Sequence, residues 1–439
     1  MIKIKNISPQ FSDVFIQMYP DMDRKQLSVK NVTIIVTEDC PLRCTYCYQH
    51  AKNNFNIMSK ETAMKIVDFL FEEDLKNSRI INNNTAQGII LDFIGGEPLL
   101  EIELIDFFVR YFKLKAIELN HRWQLFYAIS ITSNGVLYDN EKVKEFLFKN
   151  SKKTSLTITI DGNKKLHDSC RIFKDGAPSY EIVSKNLHSY IEKYGRTTTK
   201  LTLAPANIKY TYEAIKNLYE EFYLEGVWAN CVYEEGWSIS DSKIFYEQLK
   251  LLSNWIIDND IALDFYCTLY DETIGREKIK SDDNNWCGGT GQMLSFSANE
   301  NIQPCLRYTE FNLNQKQPEI TIGNLAEGLL NTKCAKDTFD ELEKITRKSQ
   351  STEECFNCPI ASGCAWCSAY NYEIYGTPNK RATFICPMHK ARVLANVYYW
   401  NKIYKKYNIN KKFEMNCPKE WALEIISKEE YEMLCNLTK

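Results

Sequence analysis

Cys40, Cys44 and Cys47 lie in Cys40-Pro41-Leu42-Arg43-Cys44-Thr45-Tyr46-Cys47, a Cys-x3-Cys-x2-Cys spacing that lets three thiolates face one centre from a single short loop. Two kinds of centre suit such thiolates. A structural zinc takes four protein ligands, commonly as two pairs, and the nearest further candidate is His50. An iron–sulfur cube is usually held by four cysteines, so three leave one iron free to bind something else. A second group, Cys355, Cys358, Cys364, Cys367 and Cys386, crowds one stretch near the end, with Cys287 and Cys305 ahead of it. Zinc ribbons space their two cysteine pairs ~15–20 residues apart. Only residues 359–363 separate Cys358 from Cys364, which favours interleaved clusters over a ribbon.

The surrounding chain is that of a soluble globular protein. It has 439 residues, 44% of them hydrophobic and 25% charged, the composition of ordinary folded domains. With 54 basic and 57 acidic side chains the formal charge is −3, which argues against a polybasic nucleic-acid or membrane binder. No apolar run approaches the ~20 residues of a membrane span, and the first residues hold no signal-peptide core, so a cytoplasmic setting is expected. Sixteen cysteines are therefore anomalous, because a reducing cytosol disfavours disulfides and clustered cysteines there bind metal or do chemistry. The scattered Cys170, Cys231, Cys334, Cys417 and Cys435 read as small buried apolar side chains, and Cys267 less plainly so.

The elements that must position these residues alternate strand with helix. Residues 32–36, 89–94, 126–131, 156–160, 201–203 and 227–232 read as six strands by their β-branched and alternating apolar residues. Between the first two, Ser59 reads as an N-cap to a helix carrying Ala63, Ile66, Val67, Leu70 and Phe71. Strands separated by helices imply right-handed βαβ units and a parallel sheet. Six units predict an open or partial barrel, with ligands at the carboxyl ends of the strands. Cys40, Gly95-Gly96, Ser133-Asn134-Gly135 and Asp161-Gly162 all fall at such ends. Near residue 260 the periodicity weakens, which marks a domain boundary. The expected layout is an N-terminal extension over 1–30, a barrel over 31–260, a cysteine-rich domain over 261–400, and a C-terminal helix and tail over 401–439.

Three cysteines at this spacing after a first strand, with Tyr46 before the third, resemble the radical S-adenosylmethionine (SAM) superfamily. The resemblance implies an α/β fold: a partial (β/α)6 radical SAM barrel followed by a cysteine-rich SPASM domain. It implies a 4Fe–4S cluster on Cys40, Cys44 and Cys47 whose free iron chelates SAM. Gly95-Gly96-Glu97-Pro98 is similar to the GGE motif, with Glu97 accepting from the SAM ammonium; Ser133 and Asn134 match the tip of a ribose-contacting strand. Asp161, with Arg171 downstream, resembles the peptide-modifying branch, where such residues lie near SAM or substrate. His167 and Asp168 read equally as a helix cap. By the same resemblance Cys355, Cys358, Cys364 and Cys386 hold a distal auxiliary 4Fe–4S cluster, and Cys287, Cys305 and Cys367 a proximal one, three clusters in all. Cys267 is a candidate fourth proximal ligand; otherwise that iron stays open to a substrate thiolate. Two departures stand out. Ala365-Trp366 puts two residues before the sixth cysteine where the family has three, and Glu300 occupies a position that is usually glycine.

The fuller resemblance is to radical SAM peptide maturases associated with CXXX-repeat targets, through Cys40 to Tyr48, Gly95 to Leu100, Asp161-Gly162, Trp286-Cys287-Gly288, Ser362 to Cys367, and Arg381 to Cys386 with Met388 to Arg392. It implies modification of a ribosomally synthesised, cysteine-rich precursor peptide, with thioether formation as the leading chemistry. Carbon–carbon or carbon–oxygen crosslinking and epimerisation are alternatives. A sulfatase-maturating activity shares the architecture, but that family places an aspartate base after the second SPASM cysteine, where Leu306 stands here. A non-catalytic iron–sulfur or zinc scaffold is the alternative of another class. Expected partners are the peptide and a reductant such as a flavodoxin or ferredoxin; because 39 residues before Cys40 are few for a leader-binding domain, leader recognition is expected from the barrel, from residues 1–30 or from a separate leader-binding protein.

Overall fold

The computed structural model describes residues 28–439 other than 50–55, 77, 79, 80, 82–85, 235, 282, 284, 286, 292, 315 and 331. His50, Trp286 and nearly all of the expected N-terminal extension lie outside the described residues.

Each of the six expected strands is present. They are β1 (Ser28–Thr37), β2 (Ala86–Gly95), β3 (Tyr127–Ser133), β4 (Thr154–Ile158), β5 (Thr198–Leu203) and β6 (Gly226–Cys231). β1 to β4 pair in parallel in sequence order, β5 pairs in parallel with β6, and a parallel bridge from Thr159 to Lys200 joins the halves. The intervening helices are α1 (Lys60–Leu75), α2 (Ile102–Glu118), α3 (Glu141–Lys149), α4 (Lys164–Cys170), α5 (Tyr180–Tyr194), α6 (Thr211–Phe222) and α7 (Ile239–Asp258). The Ser59 hydroxyl accepts from the Thr62 N–H and starts α1, a contact worth about 1 kcal/mol at an N-cap.

Alternation along the strands decides which residues meet the helices. Val32, Ile34 and Val36, Ile89, Leu91 and Phe93, Ile129 and Ile131, Leu156 and Ile158, and Leu201 and Leu203 join the helices in one apolar core. The residues between them face the lumen. There Thr33, Asp92, Ser130 and Ser155 sit in register across four strands and form a polar layer.

Both open edges of the barrel are extended by parallel strands from beyond residue 260. β7 (Tyr266–Cys267) pairs with β6, and β8 (Leu294–Phe296) pairs with β1. From β8 a short antiparallel run continues through β9 (Asn301–Gln303), β10 (Gly323–Asn324) and β11 (Gly328–Leu329). Strands of two or three residues carry no periodic signal, which is why alternation revealed only the first six. The helix Cys386–Lys406 returns to lie on α7. Asn396 fixes its place, accepting from the Asp271 N–H at 2.8 Å and donating to the Leu269 carbonyl at 2.9 Å. Two short helices, Lys419–Leu423 and Lys428–Leu437, follow it and bury Ala422 and Leu434.

Candidate active site

The three-cysteine loop leaves β1 and is stitched at both sides. The Arg43 N–H donates to the Ile172 carbonyl at 2.7 Å and the Thr45 N–H to the Cys170 carbonyl at 2.9 Å, anchoring it to the end of α4. On the other side the Gly96 N–H donates to the Thr37 carbonyl at 2.9 Å and the Glu97 N–H to the Asp39 carbonyl at 2.8 Å. A β-carbon on Gly95 would stand 2.3 Å from the Thr37 oxygen, and one on Gly96 2.1 Å from the Asp39 oxygen. The two glycines thus let the second strand's turn press against the chain entering the cysteine loop. Pro98 opens a short turn behind them and is buried.

Glu97 is 1% exposed. One carboxylate oxygen accepts from the Ser133 hydroxyl at 2.7 Å and the Leu99 N–H at 3.1 Å, the other from the Asn134 N–H at 2.7 Å. A carboxylate offers about four acceptor positions, so one remains for a ligand. Burial raises its pKa and the donors oppose that shift. Asn134 also donates to the Cys40 sulfur at 3.6 Å. Glu97, Ser133, Asn134 and Cys40 therefore meet at the ends of β1 to β3.

Asp161 is fully buried at the next strand end. It accepts from the Tyr46 hydroxyl, and the Arg171 guanidinium donates to that same hydroxyl at 2.9 Å while standing 4.0 Å from the Asp161 carboxylate. Tyr46 so ties the cysteine loop to an Asp–Arg pair. Among the described residues the Nε of Arg171 is buried without a partner, a donor left for an anionic group of a ligand. The Nδ1 of His167 accepts from the Asp161 N–H at 3.2 Å, so its Nε2 carries the proton toward the Ser179 hydroxyl at 3.0 Å. Asp168 accepts from the Ser179 and Tyr180 N–H groups at 3.0 and 2.8 Å and caps α5.

Burial, helped by the Arg171 charge, lowers the His167 pKa from 6.5 to about 3. The unfolded chain therefore binds a proton below pH 6.5 that the folded chain refuses, and each pH unit removes ~1.4 kcal/mol of stability. Asp92 acts in the opposite sense. Burial raises its pKa to about 6, so the folded chain takes up a proton first as pH falls. His167→Gln is expected to flatten the acid limb of the stability curve by about one proton between pH 6 and 4.5. Denaturant titrations at stepped pH check this; parallel limbs would show that His167 does not titrate on unfolding.

The later cysteines fall into two sets. Cys287, Cys305 and Cys367 are near enough for their charges to act on one another, and Gly289 packs its backbone between Cys305 and Cys287. Tyr48, Tyr233 and Tyr308 surround them. Cys355, Cys358, Cys364 and Cys386 line a separate cavity of about 320 Å³. Among the described residues no three His, Cys, Asp or Glu side chains are placed to hold a single metal ion. Cys267 is buried on β7, where burial pushes its thiol pKa up to about 12 against the opposing charge of Arg392. Glu300 adopts φ +64°, the left-handed region that favours glycine, and its carboxylate reaches Lys65 at 2.6 Å.

Two features, Lys200 and Arg381, escaped the sequence, and a third, Arg307, reads there equally as a surface, cluster-adjacent or substrate-contacting residue. Lys200, on β5, projects into the lumen, accessible yet ringed by Asp92, Asp161 and Arg171. Arg307 lies 4.1 Å over the Tyr48 ring and pairs with Glu234 at 2.8 Å. Arg381 donates to the Cys364 sulfur at 2.8 Å. A lone polar residue in a strand or loop has no spacing to distinguish it, so only position reveals these.

Residues 34–222 match the Radical SAM superfamily. Over 196 residues, 43% of the chain, the sequence is 31% identical to an uncharacterised protein of Methanocaldococcus jannaschii, 58% of which is covered. Over 164 residues, 36% of the chain, it is 29% identical to the serine-type anaerobic sulfatase-maturating enzyme of Bacteroides thetaiotaomicron, 34% of which is covered. The chain thus spans between a third and three fifths of these curated relatives. Among solved structures, anSMEcpe with bound AdoMet and a Cp18Cys peptide has a TM-score of 0.61 at 17% identity, covering 87% of this chain and all of that one. Streptococcus suis SuiB bound to precursor peptide SuiA has a TM-score of 0.53 at 14% identity, covering 85% and 79%. The fold is that of a partial radical SAM barrel followed by a cysteine-rich region. Among the described residues no helix is long and apolar enough to cross a membrane.

Proposed function

We propose that this chain, whose residues 34–222 form a radical SAM domain, modifies a cysteine-rich, ribosomally made peptide by forming thioether crosslinks. A 4Fe–4S cluster on Cys40, Cys44 and Cys47 with SAM would supply the 5′-deoxyadenosyl radical that takes hydrogen from the substrate. The chain's own residues do the rest. Glu97 uses its remaining acceptor position for the SAM ammonium, and Arg171 turns its unpaired Nε to an anionic group. Lys200 and Asp92 line the lumen beneath. Gly95, Gly96, Pro98, Ser133, Asn134, Asp161 and Tyr46 hold these groups in place.

The observation that carries the reading is the stack of Arg307 on Tyr48. Tyr48 directly follows Cys47, and Arg307 lies two residues past Cys305, so the Cys287 set borders the same mouth as the first cysteine loop. A substrate placed there lies between two cysteine centres, one suited to making a radical and the other to taking up the electron left over. Peptide-bound neighbours of this fold support a peptide substrate. A flavodoxin or ferredoxin would supply the first electron.

Sulfatase maturation is the second reading, favoured by the Bacteroides relative. Leu306 occupies the position of that family's base, and the carboxylate nearest to it in the Arg307 network is Glu234. Anaerobic co-expression with a cysteine-rich peptide distinguishes the two. A thioether removes two hydrogens and blocks alkylation of one thiol, whereas sulfatase-type maturation leaves an aldehyde that reacts with hydrazine. The double variant Cys44→Ala, Cys47→Ala is expected to form no 5′-deoxyadenosine; an intact protein that forms none under strong reductant would overturn both readings.

A further inference from the structure

The cavity lined by Cys355, Cys358, Cys364 and Cys386 has two cations in its wall, Arg381 and Lys390. Their surroundings differ. Lys390 is paired with Glu424 at 3.1 Å and lies 4.5 Å from the Trp421 ring centre. His389, also in the wall, is neutral and donates to the Ile360 carbonyl at 2.7 Å.

Arg381 has no such counter-charge. Its Nη2 donates to the Cys364 sulfur at 2.8 Å and reaches the Cys364 carbonyl at 3.4 Å. Its guanidinium lies 4.0 Å over the Trp366 ring, and its backbone N–H donates to the Gln350 carbonyl at 3.1 Å. Glu354 lines the same cavity, yet among the described residues no carboxylate forms an ion pair with Arg381. The Cys287 set offers the contrast, because its nearest guanidinium, Arg307, is matched by Glu234 at 2.8 Å.

An electron entering an iron–sulfur cluster places negative charge on the cluster and its sulfur ligands. Hydrogen bonds and cations at those sulfurs stabilise the reduced form more than the oxidised one. A guanidinium is charged at every accessible pH, and a charge-assisted bond is about twice as strong as a neutral one. We infer that Arg381 raises the reduction potential of a cluster held by Cys355, Cys358, Cys364 and Cys386, making that site an electron acceptor. The inference rests on the proposed reading that these cysteines hold a 4Fe–4S cluster. The step is a one-electron reduction in which no bond forms or breaks.

The test is an EPR-monitored redox titration with dithionite on full-length, anaerobically reconstituted protein. A Cys40→Ala, Cys44→Ala, Cys47→Ala background leaves only the auxiliary sites. Arg381→Met is expected to lower the reduced-to-oxidised ratio of one auxiliary cluster at least tenfold at fixed poise, or 59 mV for one electron, leaving the other unchanged. Arg381→Lys, which keeps the charge, should stay within threefold of the parent. Arg381→Gln, which keeps a donor without charge, should move with Met. Parent-like titration of all three variants overturns the inference, and so does loss of iron from all three, which would make Arg381 structural. A parent that shows no auxiliary signal, or whose signal survives Cys355→Ala, instead sinks the underlying assignment of the cluster.

Discussion

Gly96→Ala is expected to abolish SAM cleavage and to destabilise the fold. The added β-carbon would lie 2.1 Å from the Asp39 carbonyl oxygen and 2.4 Å from its carbon. Both are backbone atoms of the residue before Cys40, so no side chain can rotate away. The turn must withdraw, and with it go the Gly96 bond to Thr37 and the Glu97 bond to Asp39. Overpacking costs about 1–3 kcal/mol and each lost hydrogen bond about 0.5–1.5, so roughly 2–6 kcal/mol is at stake. The functional loss is larger than the stability loss, because one displacement moves Glu97 and the cysteine loop apart. Gly176→Ala is the control, since nothing lies within 4 Å of its added β-carbon; its φ of +85° limits the cost to backbone strain. Urea unfolding, iron content and 5′-deoxyadenosine yield measure the three consequences. A Gly96→Ala protein that binds iron and cleaves SAM like the parent would show that the turn does not need this close approach.

That contact shows what was legible in the sequence and what was not. The glycine pair at a strand end was visible, because φ/ψ freedom and close approach are the reasons to place glycine there. What approached the glycines was not visible, because it depends on the parallel register of β1 against β2. The six barrel strands were legible because each carries several apolar residues at period two. β8, three residues inside a cysteine-rich loop, could be placed beside β1 only by three-dimensional pairing. Glu300 stands where the family resemblance implies glycine. The structure shows the backbone keeping the left-handed conformation while the side chain gains Lys65 as a partner. Residue types and spacing thus marked the cysteine sets. The charges around them, Lys200, Arg307 and Arg381, take their partners from positions that no local pattern encodes.

Glu97→Gln carries the other large effect, through charge rather than bulk. In the folded protein this carboxylate receives only donors, the Ser133 hydroxyl and the N–H groups of Leu99 and Asn134. An amide of the same shape must turn its NH2 toward at least one of them. Donor then faces donor at a side chain 1% exposed, where water cannot intervene. A hydrogen bond to a charged group contributes about 1.5–3 kcal/mol. Losing the carboxylate's remaining acceptor position and misaligning the Ser133–Asn134 tip should therefore weaken SAM binding at least a hundredfold, ~2.8 kcal/mol at 1.4 per tenfold. Because burial raises this carboxyl's pKa, its removal returns part of a desolvation cost to the fold, so stability should fall far less than affinity. Glu97→Asp keeps the charge but shortens the reach, and should lie between parent and Gln in affinity. Equilibrium dialysis of SAM against reconstituted protein, paired with unfolding midpoints, separates the two quantities. Unchanged SAM affinity in Glu97→Gln would mean that Glu97 only buttresses the strand ends, and the site would then need another group to receive the ammonium.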